Sequence, residues 1–183
     1  MSIASEIRMH RAWAMPHRST FSIAPIAKII AETVPLFGVG WVDPFAGWAS
    51  PAETTNDLNP STPADYHLTA LDFLRMFEDE SVDGVLFDPP YSPRQVSECY
   101  QEIGREVTAD DTKATFWSDC KNEIARIVRP AGTVMCFGWN SNGIGKGRGF
   151  AIERVLTVAH GGHHNDTIVT VERKRAAEAE AVA

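Results

Sequence analysis

Cysteine is scarce in this chain of 183 residues: Cys99, Cys120 and Cys136 are the only three, and no CxxC pair occurs. An odd, scattered set supports neither a disulfide framework nor a zinc site, so no metal is expected. Long apolar runs are also missing, and nothing approaches the roughly 18–20 residues that a membrane span needs. Residues 1–20 break short apolar pieces with Arg8, His10, Arg11, His17 and Arg18, which leaves no secretory core segment. A cytoplasmic protein without membrane contact is therefore expected. Hydrophobic residues make up 44% and charged residues 22%, which excludes bulk disorder and collagen-like or coiled-coil architecture. The length suits one domain, expected over residues 1–175, with the Ala-Glu alternation of 176–183 as a disordered tail.

Positive charge is in deficit overall, at a net charge of -7, but the deficit is uneven. Residues 1–20 carry 3 basic and 1 acidic side chains, 21–111 carry 4 and 16, and 112–175 carry 10 and 5. Both ends of the folded part are basic and the middle is acidic. That is compatible with one face meeting phosphate and another facing water or a small ligand.

The periodicity alternates between helix and strand. Ser22 to Val34 places Ile23, Ile26, Ile30 and Val34 at three- and four-residue steps, which predicts a helix with Pro25 in its first turn. FGVGWVDPFAG reads as a short buried strand, Leu68 to Phe77 as a helix or a strand followed by one, and Val82 to Phe87 as a second buried strand. Thr112 to Val128 predicts a long helix stopped by Arg129-Pro130-Ala131-Gly132, before a third strand at Thr133 to Trp139. ERVLTVAH and DTIVTVERK, separated by a glycine- and histidine-rich turn, predict an antiparallel hairpin. Buried strands interleaved with helices and closed by an antiparallel pair argue for a single-domain α/β fold with a three-layer sheet.

The sharpest feature is Asp88-Pro89-Pro90-Tyr91, directly at the carboxyl end of the strand VLF, the edge at which open α/β sheets bind ligands. Two prolines fix the backbone and leave carbonyls without competing amide donors. A carboxylate, a free carbonyl and an aromatic ring suit an exocyclic amine on a planar base. Asp88 and the Pro89 carbonyl can accept its two hydrogens, turning the nitrogen lone pair outward, while the ring stacks on Tyr91.

VLFDPPY resembles the catalytic motif of the amino-methyltransferases that methylate adenine or cytosine exocyclic amines in DNA, and the overall match is closest to short adenine methylases of phages and prophages. The resemblance implies a Rossmann-like fold and S-adenosylmethionine as methyl donor. It implies that VDPFAG, with Asp43, Pro44, Phe45 and Gly47, approaches the methionine part of that donor, and that Phe21 in TFSIAPI joins it. Asp57 in TNDLNP is similar to the acid that holds the ribose hydroxyls, and Asp72 with Phe73 in ALDFL to the segment that meets the adenine. It implies N6-methylation of adenine in DNA by base extrusion, in a bacterial host cytoplasm if phage-encoded, with Arg8, Arg11, Lys146 and Arg148 as candidates for phosphate contact.

Two departures from the family pattern stand out. Only the nine residues Trp48 to Asn56 separate Gly47 from Asp57, whereas a parallel crossover with its helix needs roughly ten to twelve or more. The first helix after the D-P-F-x-G strand is therefore expected to be missing, replaced by a loop through Ser50-Pro51. No segment is long enough for a separate target-recognition domain; the one candidate insert, Ser92 to Asp111, is short and acidic, so a specificity partner or a second copy of the chain stays open. Gly143 to Gly149 reads as a mobile loop, His160, His163 and His164 as a solvated turn, and Trp13 and Trp48 as pocket or core tryptophans. Open alternatives are a catalytically silent cofactor-binding or regulatory subunit, and the same chemistry on cytosine N4, RNA adenine or a protein amide.

Overall fold

The computed structural model describes residues 6–105 and 114–176. The expected tail beyond residue 176, the end of the insert and the first residues of the long helix lie outside the described residues. The chain forms one seven-stranded sheet with strands β1 (Arg8–Trp13), β2 (Trp41–Asp43), β3 (Thr54–Thr55), β4 (Val82–Phe87), β5 (Val128–Gly138), β6 (Phe150–Ala159) and β7 (Thr167–Lys174), in spatial order β1-β6-β7-β5-β4-β2-β3. Only β7 runs antiparallel to its neighbours. The helices are α1 (Ala24–Thr33), α2 (Ala70–Arg75), α3 (Pro93–Glu102) and α4 (Ala114–Ile127).

Three layers result because the sheet is apolar on both faces. On one side Ile23, just before α1, and Ile26, Ile29 and Ile30 within it pack against Leu86, Met135, Leu156, Val158 and Val169. On the other, Phe73 and Leu74 of α2 and Cys120, Ile124 and Ile127 of α4 cover Val85, Phe87, Val134 and Cys136. Alternate strand residues serve opposite layers, as a sheet buried on both faces requires.

The expected hairpin is the β6–β7 pair, with Val158 opposite Thr167 nearest its turn. The expected helix after β2 is indeed absent: residues 44–53 cross to β3 as an irregular loop. Three details depart from the sequence reading. The edge strand β1 was not expected. Arg129 to Gly132 form no separate terminator, because β5 begins at Val128 and absorbs them as an irregularity between the Val82–Val128 and Gly84–Thr133 pairs. A side chain at Gly132 would meet the Asp83 carbonyl at 2.9 Å, which is why glycine stands there. His160 is buried instead of solvated, its Nδ1 2.8 Å from the Ala14 carbonyl and its Nε2 2.8 Å from Thr167 Oγ1.

Candidate active site

From β2 the chain moves outward to β3 and then returns to place β4 on the other side of β2. That reversal opens a crevice at the carboxyl ends of β2 and β4, the position at which open α/β sheets take ligands. The loops after Asp43 and after Phe87 face each other across it.

Three cavities meet at this edge. The first, of about 360 Å³, is bounded by Pro44 and Phe45, by Asp57 and Leu58, by Leu68 to Ala70, by Asp88 to Tyr91, and by α3 and Trp117. The second, of about 390 Å³, lies between residues 17–22 and 45–49 and shares Thr20, Phe45 and Asp88 with the first. The third, of about 200 Å³, lies beyond Pro89, Pro90 and Tyr91, between Trp117, Lys121, Cys136, Trp139 and Asn140.

Asp88 stands where the first two cavities join. Its Oδ1 accepts a short hydrogen bond from the Tyr91 hydroxyl. Burial pushes its carboxyl up to about 6, against the opposing effect of hydrogen bonds from Tyr91 and Thr20. Burial and the neighbouring Asp88 charge raise the Tyr91 phenol well above its ordinary range, so it remains a donor. Ser92 caps α3, Gln95 Oε1 accepts the Tyr91 N–H at 2.6 Å, and the Tyr91 ring lies edge-on to Trp139 at 5.7 Å. Tyr91 is thus directed at Asp88 by its hydroxyl while its ring lines the first and third cavities.

The remaining expected residues divide. Phe45 lines the first two cavities, steadied by Phe87 at 5.7 Å and Trp117 at 5.8 Å. Phe21 lines the second cavity and packs on Phe137 at 5.0 Å. Asp57 lines the first and replaces part of what the missing helix would fix: its Oδ2 accepts the Gly47 N–H at 2.9 Å and its Oδ1 the Asn59 N–H at 2.8 Å. Asp43 is fully buried and lines none of these cavities. It accepts from Phe45 N–H at 2.9 Å and Ser50 Oγ at 2.6 Å, holding the loop from beneath, and burial pushes its carboxyl up to about 7.

Asp72 and Phe73 do not reach the cavities. Asp72 is exposed, its N–H donating to the capping Thr69 Oγ1 at 3.2 Å and its Oδ2 accepting from the Thr69 hydroxyl at 2.7 Å, and Phe73 is buried in the core. The cavity wall there is made by Leu68, Thr69 and Ala70 at the helix start. The expected phosphate contacts also lie elsewhere. Arg8 and Arg11 are on β1, four strand spacings or roughly 19 Å from β4. Arg148 is held against α4 by Asn122 Oδ1 at 2.7 Å and Ser118 Oγ at 2.9 Å, and the Ile144 and Gly145 N–H groups bond to buried Glu172 at 2.5 and 3.1 Å. The loop carrying Lys146 is therefore anchored. Its anchor is a single carboxylate on β7, 27 residues after Gly145, a pairing no local sequence pattern marks. The cationic side chains that do line the site are Arg18 and Lys121.

Thr20, Asn56, Gln95 and Trp117 also line the first cavity, and the sequence reading does not mark them as site residues. Asn56 is fully buried and clamps two loops, donating to the Pro44 and Leu68 carbonyls at 3.1 Å each and accepting from Leu68 N–H at 2.9 Å. Among the described residues, no group of three metal-ligating side chains converges, and no helix is long and apolar enough to cross a membrane.

No protein-family model matches the sequence, and no curated protein matches it. Solved structures do resemble the fold. The 1,6-didemethyltoxoflavin-N1-methyltransferase of Burkholderia thailandensis, solved with 1,6-didemethyltoxoflavin and S-adenosylhomocysteine bound, aligns with a TM-score of 0.51 at 12% identity, over 74% of this chain and 70% of that one. TrmN from Thermus thermophilus aligns at 0.52 and 17% identity, over 83% of this chain and 49% of its own, so the chain spans about half the length of TrmN. Topology, crevice and these alignments together give the conclusion that the chain has the Rossmann-like fold of such methyltransferases.

Proposed function

We propose that the chain is an S-adenosylmethionine-dependent methyltransferase acting on the exocyclic N6 amine of adenine in DNA. The observation that carries this reading is the placement of Asp88 at the junction of two cavities, with Pro89 to Tyr91 forming the partition to a third. Asp88 thus faces the cavities assigned to the donor, and Pro89, which lines both the first and the third, stands between it and the place for a planar substrate. The resemblance of VLFDPPY to the amino-methyltransferase motif supports the reaction class, and the Burkholderia enzyme, bound to S-adenosylhomocysteine, supports the donor.

The first two cavities fit the donor by size and lining. Volumes of about 360 and 390 Å³ lie in the range of small-molecule sites. The apolar walls Phe45, Leu58, Leu68 and Val96 suit an adenine ring, Asp57 offers a carboxylate for ribose hydroxyls, and the loop at Gly47 is open, since a side chain there would touch nothing within 4 Å. When bound, S-adenosylmethionine supplies an electrophilic methyl group.

The chain's own residues orient the acceptor. Asp88 and the Pro89 carbonyl take the two amine hydrogens, fixing the nitrogen lone pair toward the donor side. Tyr91, Trp117 and Trp139 give the third cavity aromatic walls for a base, and Asn140 and Lys121 offer donors to its ring nitrogens. Extruding a base costs a few kcal/mol, and aromatic stacking of about 1–3 kcal/mol per base offsets much of it.

Mass spectrometry of nucleosides from DNA and RNA incubated with the protein and isotope-labelled S-adenosylmethionine tests the proposal. Labelled N6-methyladenine from DNA is expected. Label confined to RNA or to cytosine moves the substrate, and no label in either polymer refutes the nucleic-acid reading.

A further inference from the structure

Beneath α1, away from the crevice, lies a cavity of about 330 Å³ that the methyl-transfer chemistry does not use. It sits between α1 and the paired strands β1 and β6, and its polar lining is His10, Arg11, Lys28, Glu32 and Arg154. The geometry that assembles it is traceable. On β6 Arg154 lies two residues before Leu156 and four before Val158, so it shares the side of the strand that packs under α1. His10 pairs with Leu156 across β1 and β6 and shares that side. Lys28 and Glu32 stand one turn apart on α1.

Two cationic side chains, Arg154 and Lys28, thus line the cavity with a single carboxylate, while Arg11, between His10 and Ala12 on β1, borders it with its Cβ on the opposite face of the sheet. Glu32 accepts from Arg154 Nη2 at 2.8 Å, and that bond, reinforced by the charges of Arg154, Lys28 and His10, holds its carboxyl below the ordinary range. Arg154 is the one side chain that hydrogen-bonds Glu32 among the described residues. Arg11 and Lys28 have no ion-pair partner among the described residues. Arg154 Nε is buried with no acceptor at all, and a buried guanidinium N–H without a partner calls for one.

We propose that this cavity binds a phosphate group, held by Arg154 Nε and the Lys28 ammonium with His10 beside it. A tetrahedral anion carrying more than one charge matches both the surplus of positive charge and the several donor directions better than a single carboxylate does. The phosphate comes either from a polynucleotide backbone crossing the β1 edge or from a free phosphorylated compound. The site does not depend on the reaction assigned to Asp88, so failure of methyl transfer leaves it standing.

Lys28→Glu is the direct test, because Lys28 is exposed and takes no part in the Arg154–Glu32 pair; Lys28→Ala gives a milder second variant. Two probes are titrated at constant pH: inorganic phosphate, followed by the His10 imidazole resonances, and a short fluorescein-labelled oligonucleotide, followed by anisotropy at several salt concentrations. A polynucleotide source is expected to show as about tenfold weaker oligonucleotide binding and a shallower salt dependence in Lys28→Glu. A free-ligand source is expected to show as a saturable phosphate response in the wild-type protein that the variant loses while oligonucleotide binding holds. Either result supports the site, with Lys28→Ala intermediate. If both probes bind both variants as they bind the wild type, the proposal is overturned.

Discussion

The Tyr91 hydroxyl donates a hydrogen bond to Asp88 Oδ1, so the acceptor that an incoming amine requires is engaged by a side chain three residues along the same loop. The contact ties the electrostatics of the site to the ring that borders the acceptor cavity. In the proposed reaction the substrate amine shares this carboxylate with the phenol, and Asp88 must be ionised to accept both.

Tyr91→Phe separates those two roles by keeping the ring and removing the hydroxyl. Burial raises the Asp88 carboxyl to about 6 and the Tyr91 hydrogen bond opposes that rise. Removing the bond moves the carboxyl further up. Methyl transfer by the wild-type protein is expected to fall as pH drops through about 6, and in the variant the same acid limb is expected at higher pH. The pH dependence of kcat/KM measures it; a limb at the same pH in both proteins shows that Asp88 does not govern the step.

Asp88→Asn replaces one acceptor of the amine by a donor. The rate of labelled methyl transfer is expected to fall by at least about a hundredfold, while calorimetric binding of S-adenosylmethionine persists, since the walls of the first two cavities are otherwise intact. Transfer at the wild-type rate would place the chemistry elsewhere.

Local sequence carried the parts of this molecule whose roles are local. VDGVLF ends where Asp88 and two prolines follow, and the observed β4 spans those same residues, because an apolar run bounded by turn residues has one stable outcome in a buried sheet. The isoleucine spacing of α1 was legible for the same reason. RMHRAW was not, since an edge strand with mostly exposed residues carries no apolar alternation. The site divided along the same line. Asp88 and Tyr91 lie in one contiguous motif, whereas Thr20, Asn56 and Trp117 reach the crevice from separate elements and owe their roles to tertiary placement. Asp72 and Phe73 were misplaced because α2 starts at Ala70, which turns one toward the Thr69 cap and the other into the core.

Asp57 and Asp72 now make opposite predictions although the family resemblance implied a donor contact for both. Asp57→Ala frees the Gly47 N–H and removes a carboxylate from the first cavity, so S-adenosylmethionine is expected to bind at least about tenfold more weakly. Asp72→Ala is expected to leave that affinity unchanged and to cost about 0.3–1 kcal/mol of stability through the lost carboxylate in the first turn of α2. Calorimetry and urea unfolding on both variants check the pair; weaker donor binding in Asp72→Ala would mean that the Asp72 side chain itself reaches the donor.

Asp43 makes stability itself depend on pH, in the direction opposite to an ordinary ion-paired carboxylate. Burial raises its carboxyl from 3.8 to about 7 in the folded chain, so between those values the folded state holds a proton that the unfolded state has released. Its contribution is therefore most favourable below about pH 4, declines as pH rises and levels off above about 7, a span on the order of 4 kcal/mol. Asp88, raised to about 6, adds a decline of the same sign over the lower part of that window. Asp43→Asn keeps an acceptor for the Phe45 N–H and lets the Ser50 hydroxyl turn to accept, but it cannot titrate. Urea unfolding from pH 4 to 8 is expected to show a flatter profile for the variant than for the wild type, with the gap widest at the alkaline end. Parallel profiles would mean that Asp43 is ionised throughout and that its two hydrogen bonds outweigh its burial.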